Sequence, residues 1–591
     1  MISRVNRFSR CLGLTLALVA AAGLASAKVV APKIVPAKAT SVVSIPDTKA
    51  MVDACQANPL APMVQKIVAA AGGKDKLAVV SDLLPQIEKE LGFPINSQSM
   101  AAMINGIDIF MTQNPDEDKP GGGVVAKLGE KDKFRRFLAY WEKAAIKAAK
   151  EAQSQDESST STEERAFITT DTIAGVLAKH FTAANGMDVY YAEIENYLLV
   201  ATSKPLFAGM VERAKGKNAS GGLDAATDFD KVEKALATHP GVLYMYQNPR
   251  AALASSTKKT DGLSKLAKLM EDLTPVAMSG SVVQVTPKSI HTYKYAPFAE
   301  GTENNLLRKL LERASNNGKI AVLDFAPEQC MLVGATNAFD AFFVYDILRE
   351  AVQSLGGGTK EADLDKQLKD LEPILGFSVK DDLLPAMGKN VGFLVNALNI
   401  SDIVSADAAL VIEVRDKDKM QKVLTVAERQ ISDSLNKRMT PPADQAKTAA
   451  PAIAFKTVKE GDLSIRYLEI LPLPTITPGY AMVGDYLIIA TTKESIQRLV
   501  AVKAGKEKGL LSSSVIDQFD TVKPKGVSYG YMNFPAVWDT VQSAVGKMAG
   551  DNEEARKVIE ALKTIKAGAG YAAVENGAMT GEAVLLLEPA R

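Results

Sequence analysis

Histidine is nearly absent from this chain, which has His180, His239 and His291 in 591 residues. The commonest proton-transfer residue and metal ligand is therefore missing from most of the sequence, and the three read as surface or turn residues. Cysteine is as scarce. After Cys11 only Cys55 and Cys330 remain, one in an expected helix and one at the start of an expected strand. In an oxidising compartment they either form a single bridge or stay two separate buried thiols. Two cysteines are no disulfide framework, so folding rests on apolar burial.

The motifs of common catalysts are also missing. No His-x-x-x-His or Cys-x-x-Cys spacing supports zinc, and no Gly-x-Ser-x-Gly elbow is present. Ser255-Ser256-Thr257-Lys258 and Ser434-Leu435-Asn436-Lys437 satisfy Ser-x-x-Lys, a pattern that composition alone yields in a long chain, and its companion motifs are absent. Charge of one sign is lacking as well, with 69 basic and 69 acidic residues. A nucleic-acid partner, which needs a basic excess and a basic face, is not implied.

Long apolar runs are confined to the start of the chain. Arg4, Arg7 and Arg10 precede an apolar run from Leu12 to Leu24 that ends in Ala25-Ser26-Ala27. Basic start, apolar core and small residues are the parts of a signal peptide, residues 1–27, with Lys28 as the expected mature N-terminus. The run is too short to span a hydrocarbon core of ~30 Å, and Cys11 lies before it, which argues against a lipid-modified cysteine. No later run reaches membrane-spanning length. The expectation is a periplasmic or secreted protein with no transmembrane segment after signal removal. Without the three leader arginines it carries 66 basic residues against 69 acidic.

What the sequence does contain is repetition. Asn196-Tyr197-Leu198-Leu199-Val200-Ala201-Thr202-Ser203-Lys204 recurs as Asp485-Tyr486-Leu487-Ile488-Ile489-Ala490-Thr491-Thr492-Lys493, with Tyr197 and Tyr486 289 residues apart. Gly241-Val242-Leu243-Tyr244-Met245-Tyr246-Gln247-Asn248 recurs as Gly526-Val527-Ser528-Tyr529-Gly530-Tyr531-Met532-Asn533, 285 residues on. Lys131-Asp132-Lys133-Phe134 recurs at Lys417 after 286 residues, and Leu91-Gly92-Phe93 at Leu375 after 284. Four matches in one order at nearly one offset predict two tandem copies of an α+β unit, residues 28–298 and 323–591. A linker with a short helix, residues 299–322, joins them. Polar stretches, Gln153 to Glu164 and Lys437 to Pro451, interrupt both copies at the same point and read as exposed loops.

Each copy is expected to hold a mostly antiparallel sheet and packed amphipathic helices. Phe134, Phe137, Leu138, Trp141 and Ala145 are at helical spacing, as are Met420, Val423, Leu424, Ala427 and Ile431, and each set is expected to face a core. Asp132 and Asp418 fall in the first turns of these helices, where the dipole favours a carboxylate. Ser203 and Thr492 are placed to cap helices after the Tyr197 and Tyr486 strands, and Asn248 and Asn533 after the next strands. Hairpins are expected through Thr286-Pro287-Lys288 and through Glu575-Asn576-Gly577.

Candidate ligand motifs have plain readings. Gly121-Gly122-Gly123 and Gly356-Gly357-Gly358 lack the strand-to-helix context of a phosphate loop and read as flexible turns. Asn114-Pro115-Asp116-Glu117-Asp118 lacks the glycine and closing glutamate of a calcium loop and reads as a hairpin tip; Asp402 and Asp407 match it without the alternation. Tyr197, Tyr244, Tyr246, Tyr486, Tyr529 and Tyr531 either line a groove or are ordinary sheet residues.

The run Leu375-Gly376-Phe377-Ser378-Val379-Lys380-Asp381-Asp382-Leu383-Leu384-Pro385-Ala386-Met387-Gly388 carries a Gly-Phe, Asp-Leu-Leu-Pro, Gly signature. It resembles a family of exported bacterial proteins of unknown function with tandem α+β units, and Pro36-Ala37-Lys38-Ala39-Thr40 resembles that family's opening strand. The first copy departs from it, since Asp82-Leu83-Leu84-Pro85 stands at a non-equivalent place. The resemblance implies no catalytic residues. The reading is a non-catalytic extracytoplasmic binding or scaffold protein of the bacterial envelope, with no catalytic, cofactor or metal residues to name and an unknown envelope protein or ligand as partner. An envelope hydrolase with a site at the junction of the units and a carrier of an apolar or lipid ligand are the alternatives.

Overall fold

The computed structural model describes residues 29–60, 84–113, 120–153, 168–182, 188–217, 221–250, 252, 270, 273–315, 318–355, 364–399, 405–439, 454–469, 477–540 and 563–588. They mix helix with antiparallel sheet, an α+β architecture, and fall into two compact units. Of the described residues, those up to 252 with Val276–Ala299 and 587–588 form one, and 270, 273–275 and Glu300–Leu586 form the other. Asn114–Asp118, Gly356–Gly358, Asp402, Ser255–Lys258 and most of the two polar loops lie outside the described residues.

The first unit has ten described strands: β1 Ser41–Ile45, β2 Ile104–Gln113, β3 Pro120–Leu128, β4 Thr169–Ile173, β5 Val176–Thr182, β6 Asp188–Ile194, β7 Tyr197–Ala201, β8 Leu243–Gln247, β9 Ser279–Val285 and β10 Ser289–Pro297. Antiparallel pairing orders them 4-5-6-7-3-2-1-8-9-10. Its helices include α1 Thr48–Ala57, α2 Ser97–Met103, α3 Lys131–Gln153, α4 Lys204–Ala214 and α5 Phe229–Leu236. Strand side chains alternate between two faces. Val42, Phe110, Val125 and Leu199 point to one face and pack with Phe207, Met210 and Phe229 of α4 and α5. Ile45, Ile107 and Ala126 point to the other and pack with Met51, Met100 and Phe134 of α1, α2 and α3.

In the second unit, α6 Leu306–Ser315 packs on the sheet, and α7 Ala341–Leu355, α8 Leu364–Leu375, α9 Lys417–Met439 and α10 Lys493–Lys503 follow. The strands are β11 Leu332–Thr336, β12 Met387–Asn399, β13 Ser405–Val414, β14 Phe455–Glu460, β15 Leu463–Leu468, β16 Gly479–Val483, β17 Tyr486–Ala490, β18 Ser528–Asn533, β19 Ile565–Glu575 and β20 Ala578–Leu587. Their order is 14-15-16-17-13-12-11-18-19-20, the first sheet's order with ten added to each number. Ile320 and Val322, at the end of the expected linker, are buried in this unit's core.

Local chemistry explains the element ends. Ser203 Oγ accepts from Leu206 N at 3.4 Å and Thr492 Oγ1 from Ser495 N at 3.1 Å, capping α4 and α10. Asp132 and Asp418 occupy the first turns of α3 and α9. Asn576 and Gly577 both have positive φ, 51° and 73°, as a two-residue hairpin turn requires. Two expectations need correction. Gly121–Gly123 is no turn but part of β3, where a Cβ on Gly123 would stand 2.5 Å from the Phe110 ring, so glycine lets that ring lie on the strand. Ile431, placed on the core stripe of α9, is exposed, because the burial of that stripe is confined to Met420, Val423 and Leu424 nearer the helix start.

Candidate functional site

Both units repeat one polar cluster. Glu142 of α3 accepts from Lys179 Nζ of β5 at 2.5 Å and from the Tyr191 hydroxyl of β6 at 2.9 Å. Glu428 of α9 accepts from Arg466 Nε of β15 at 2.5 Å, from Arg466 Nη2, and from the Tyr480 hydroxyl of β16 at 2.6 Å. Burial, then the adjacent carboxylate, pushes both phenols well above their ordinary range. Burial alone would raise Glu428, but the Arg466 and Tyr480 bonds hold it below the usual carboxylate range. A carboxylate with both oxygens engaged and a phenol held protonated are poor reagents. Each cluster ties the long helix to the sheet.

Other polar residues are similarly occupied. Asp407 accepts from Asn396 Nδ2 at 3.2 Å and from Ser495 Oγ, with Arg498 Nη1 at 3.6 Å; Ser495 is buried and no histidine stands beside it. His180 pairs with Asp188 at 3.2 Å, His239 stacks on Tyr293, and His291 meets Ser289 Oγ at 2.9 Å. Among the described residues no group of three or more His, Cys, Asp or Glu side chains is placed to hold a metal ion. Cys55 and Cys330 are not joined in a disulfide, and Cys330 Sγ donates to carbonyls of Leu332 and Val395. Tyr244, Tyr246, Tyr529 and Tyr531 are core residues, not groove lining.

The units differ on the second sheet face. Across the first sheet, register aligns Ser281, Met245, Val43, Ile109, Val124, Val200 and Tyr191 in one row. Across the second it aligns Gly570, Gly530, Gly334, Phe393, Leu410, Ile489 and Tyr480. Gly570, Gly530 and Gly334 stand where the first row has Ser281, Met245 and Val43. Among the described residues, a Cβ on Gly334 would meet nothing within 4 Å, and one on Gly530 only a carbonyl at 3.9 Å. Phe393 is 46% exposed and Ile489 41%, whereas Ile109 and Val124 of the first row pack against a cluster of eleven buried residues.

The helices beside this face are also incompletely packed. Among the described residues, their buried clusters in the second unit hold only five and three residues. Val344 and Leu348 stand one turn apart on α7, Leu348 being 53% exposed. On α8 no residue is buried, and Ile374 is 67% exposed. Phe393, Leu410 and Ile489 are register neighbours, and contiguous apolar exposure on a folded protein marks an interaction site more often than isolated exposed residues do.

Sequence reasoning singled out none of Glu142, Lys179, Tyr191, Glu428, Arg466 and Tyr480, although Glu142 and Glu428 stand 286 residues apart, at the repeat offset. The Gly334, Phe393, Ile489 row left no such signal, because its members come from separate strands. The chain matches no protein-family model and no curated protein. Among solved structures it is similar to TP0453 in crystal form III, at 9% identity and a TM-score of 0.22 over 48% of this chain and 86% of that one. For TP0453 in crystal form I the values are 10% and 0.21 over 49% and 88%. A likeness of that size bears on neither fold nor function.

Proposed function

We propose that this chain is a non-catalytic binding protein of the bacterial envelope, exported by its N-terminal segment and built from two copies of one α+β unit. The duplication is supported by the shared strand order, by the paired 23-residue helices α3 and α9, and by the twin Glu142 and Glu428 clusters. The binding role rests on the row Gly334, Phe393, Leu410, Ile489, where the described residues of the second unit leave open and apolar what the first fills. In this reading the first unit is the sealed scaffold and the second presents an apolar face to a partner.

The glycines favour one further reading, a carrier of an apolar or lipid ligand, since a floor without side chains gives an acyl chain room against the sheet. One experiment separates the two. The full chain and a Phe393→Asp, Ile489→Asp variant are isolated from the native envelope and analysed by native mass spectrometry. A protein bound to the wild type and lost from a folded variant supports the binding role. A bound lipid lost in the same way supports the carrier, and equal retention by both chains sinks the assignment to this face.

A further inference from the structure

Asp108 of β2 is fully buried, and it is an acid in the middle of an apolar core. Its Oδ1 accepts from Val30 N at 3.0 Å and its Oδ2 from Ala31 N at 2.8 Å, and Ser44 also bonds to it. Those amides belong to residues 29–35, a strap whose Val29, Ala31, Ile34 and Val35 are buried against the core. Among the described residues no cation acts on the carboxylate. Among the described residues its charge acts on two phenols, Tyr197 of β7 and Tyr246 of β8. Lys33 of the strap is exposed, and Arg213 of α4 donates to Ile34 O, at 2.9 Å.

The second unit solves the same packing problem without a charge. Ser44 pairs with Asp108 and Tyr244, and Ala335 pairs with Gly392 and Tyr529, so Gly392 stands at the place of Asp108. Residues 320–325 take the place of the strap: Ala321 N donates to the neutral Asn390 side chain at 3.1 Å, and Val322 fills the space over Gly392. Leu223 N reaches Val35 O and Leu510 N reaches Ala326 O, both at 2.8 Å, which aligns the two segments. The fold therefore does not require a carboxylate here. A buried charge with no counter-ion among the described residues is destabilised relative to its neutral form, and lifting the strap would hydrate it.

We propose that Asp108 makes residues 29–35 a pH-sensitive latch, held closed on the first unit when the carboxyl is protonated and loosened when it ionises. Burial raises the closed-state group from 3.8 to about 6. Ionisation then favours the opened strap, in which the group regains its ordinary value. Between pH 5 and pH 8 the opening equilibrium rises on the order of tenfold. Opening uncovers the apolar residues beneath the strap.

Amide hydrogen exchange of the full chain tests this, with residues 320–325 as an internal control and rates corrected for intrinsic pH dependence. The expected result is a loss of protection in 29–35 on the order of tenfold from pH 5 to pH 8, with 320–325 unchanged. Asp108→Asn and Asp108→Gly, the latter copying the second unit, should abolish the difference. A strap with constant protection, parallel changes in both segments, or a pH response that persists in a folded variant would overturn the latch. If neither variant folds, the comparison within the wild type decides.

Discussion

The Tyr480 hydroxyl donates a 2.6 Å hydrogen bond to the Glu428 carboxylate, and the Tyr191 hydroxyl does the same to Glu142 at 2.9 Å in the other unit. A bond to a charged acceptor in a half-buried setting contributes about 1.5–3 kcal/mol, and removing the acceptor strands its partners. Tyr480→Phe should therefore cost about 2 kcal/mol and Glu428→Ala about 3 kcal/mol. The double variant should lose less than the sum. Urea unfolding with a probe in the second unit measures both values, and strict additivity would contradict the coupling.

Two strand glycines should respond oppositely to the same substitution. A Cβ on Gly123 would lie 2.5 Å from the Phe110 ring and 2.8 Å from Val200 O, whereas one on Gly334 meets no described atom within 4 Å. Gly123→Ala should destabilise by about 1–3 kcal/mol through overpacking. Gly334→Ala should be neutral or stabilising by up to about 1 kcal/mol, because alanine loses less chain entropy on folding. Thermal unfolding reports both. In the binding reading, a larger residue such as Gly334→Ile should weaken partner retention with the fold intact.

Tyr529 is a fully buried side chain whose hydroxyl has no hydrogen-bond partner among the described residues. Such a group carries an uncompensated desolvation penalty of about 1–3 kcal/mol. Tyr529→Phe should raise stability by about 1 kcal/mol in chemical denaturation. A loss of similar size would show that the hydroxyl does have a partner.

Acid should affect the two units differently. Glu428, Glu413, Asp382 and Asp324 of the second unit all lie below their ordinary values in the folded chain, held there by bonds to Arg466 and Tyr480, to Asn390, to Lys422, and to Lys319 and Lys503. Their contribution is present above the unfolded value of about 4 and is lost as pH falls through the folded values. Asp108 has the opposite sign: its contribution is complete below 3.8 and lost as pH rises through about 6. The first unit also holds depressed carboxylates, Glu193 on Arg135, Asp188 on Thr182 and His180, and Asp171 on Lys204, so lowering pH from 7 to 4 should weaken both units, the first less because Asp108 offsets part of its loss. Residue-resolved exchange across that range would show the divergence, and a uniform loss in both units would contradict it.

Local signals were legible where one element carries them. The Asn576-Gly577 turn, the Ser203 and Thr492 caps and the first-turn acids Asp132 and Asp418 depend on residues a few positions apart, and their chemistry is local. The stripe on α9 was legible as helical spacing but not as burial. Ile431 has the period of a core residue, yet whether it is covered depends on what other elements bring to that face.

Sequence alone determined the α+β class, the caps, the hairpin turn and the repeating segments, because short-range sterics and hydrogen bonding act within a few residues. Only tertiary structure decided what the recurring positions became. Asp108 and Gly392 occupy the same register place, but one is a buried acid holding two amides and the other is space filled by Val322. The open row from Gly334 to Ile489 likewise exists only when separate strands align, since strand pairing converts distant positions into neighbours about 5 Å apart. The physical reason is that burial is a property of neighbours across the sheet, and no stretch of chain carries that information by itself.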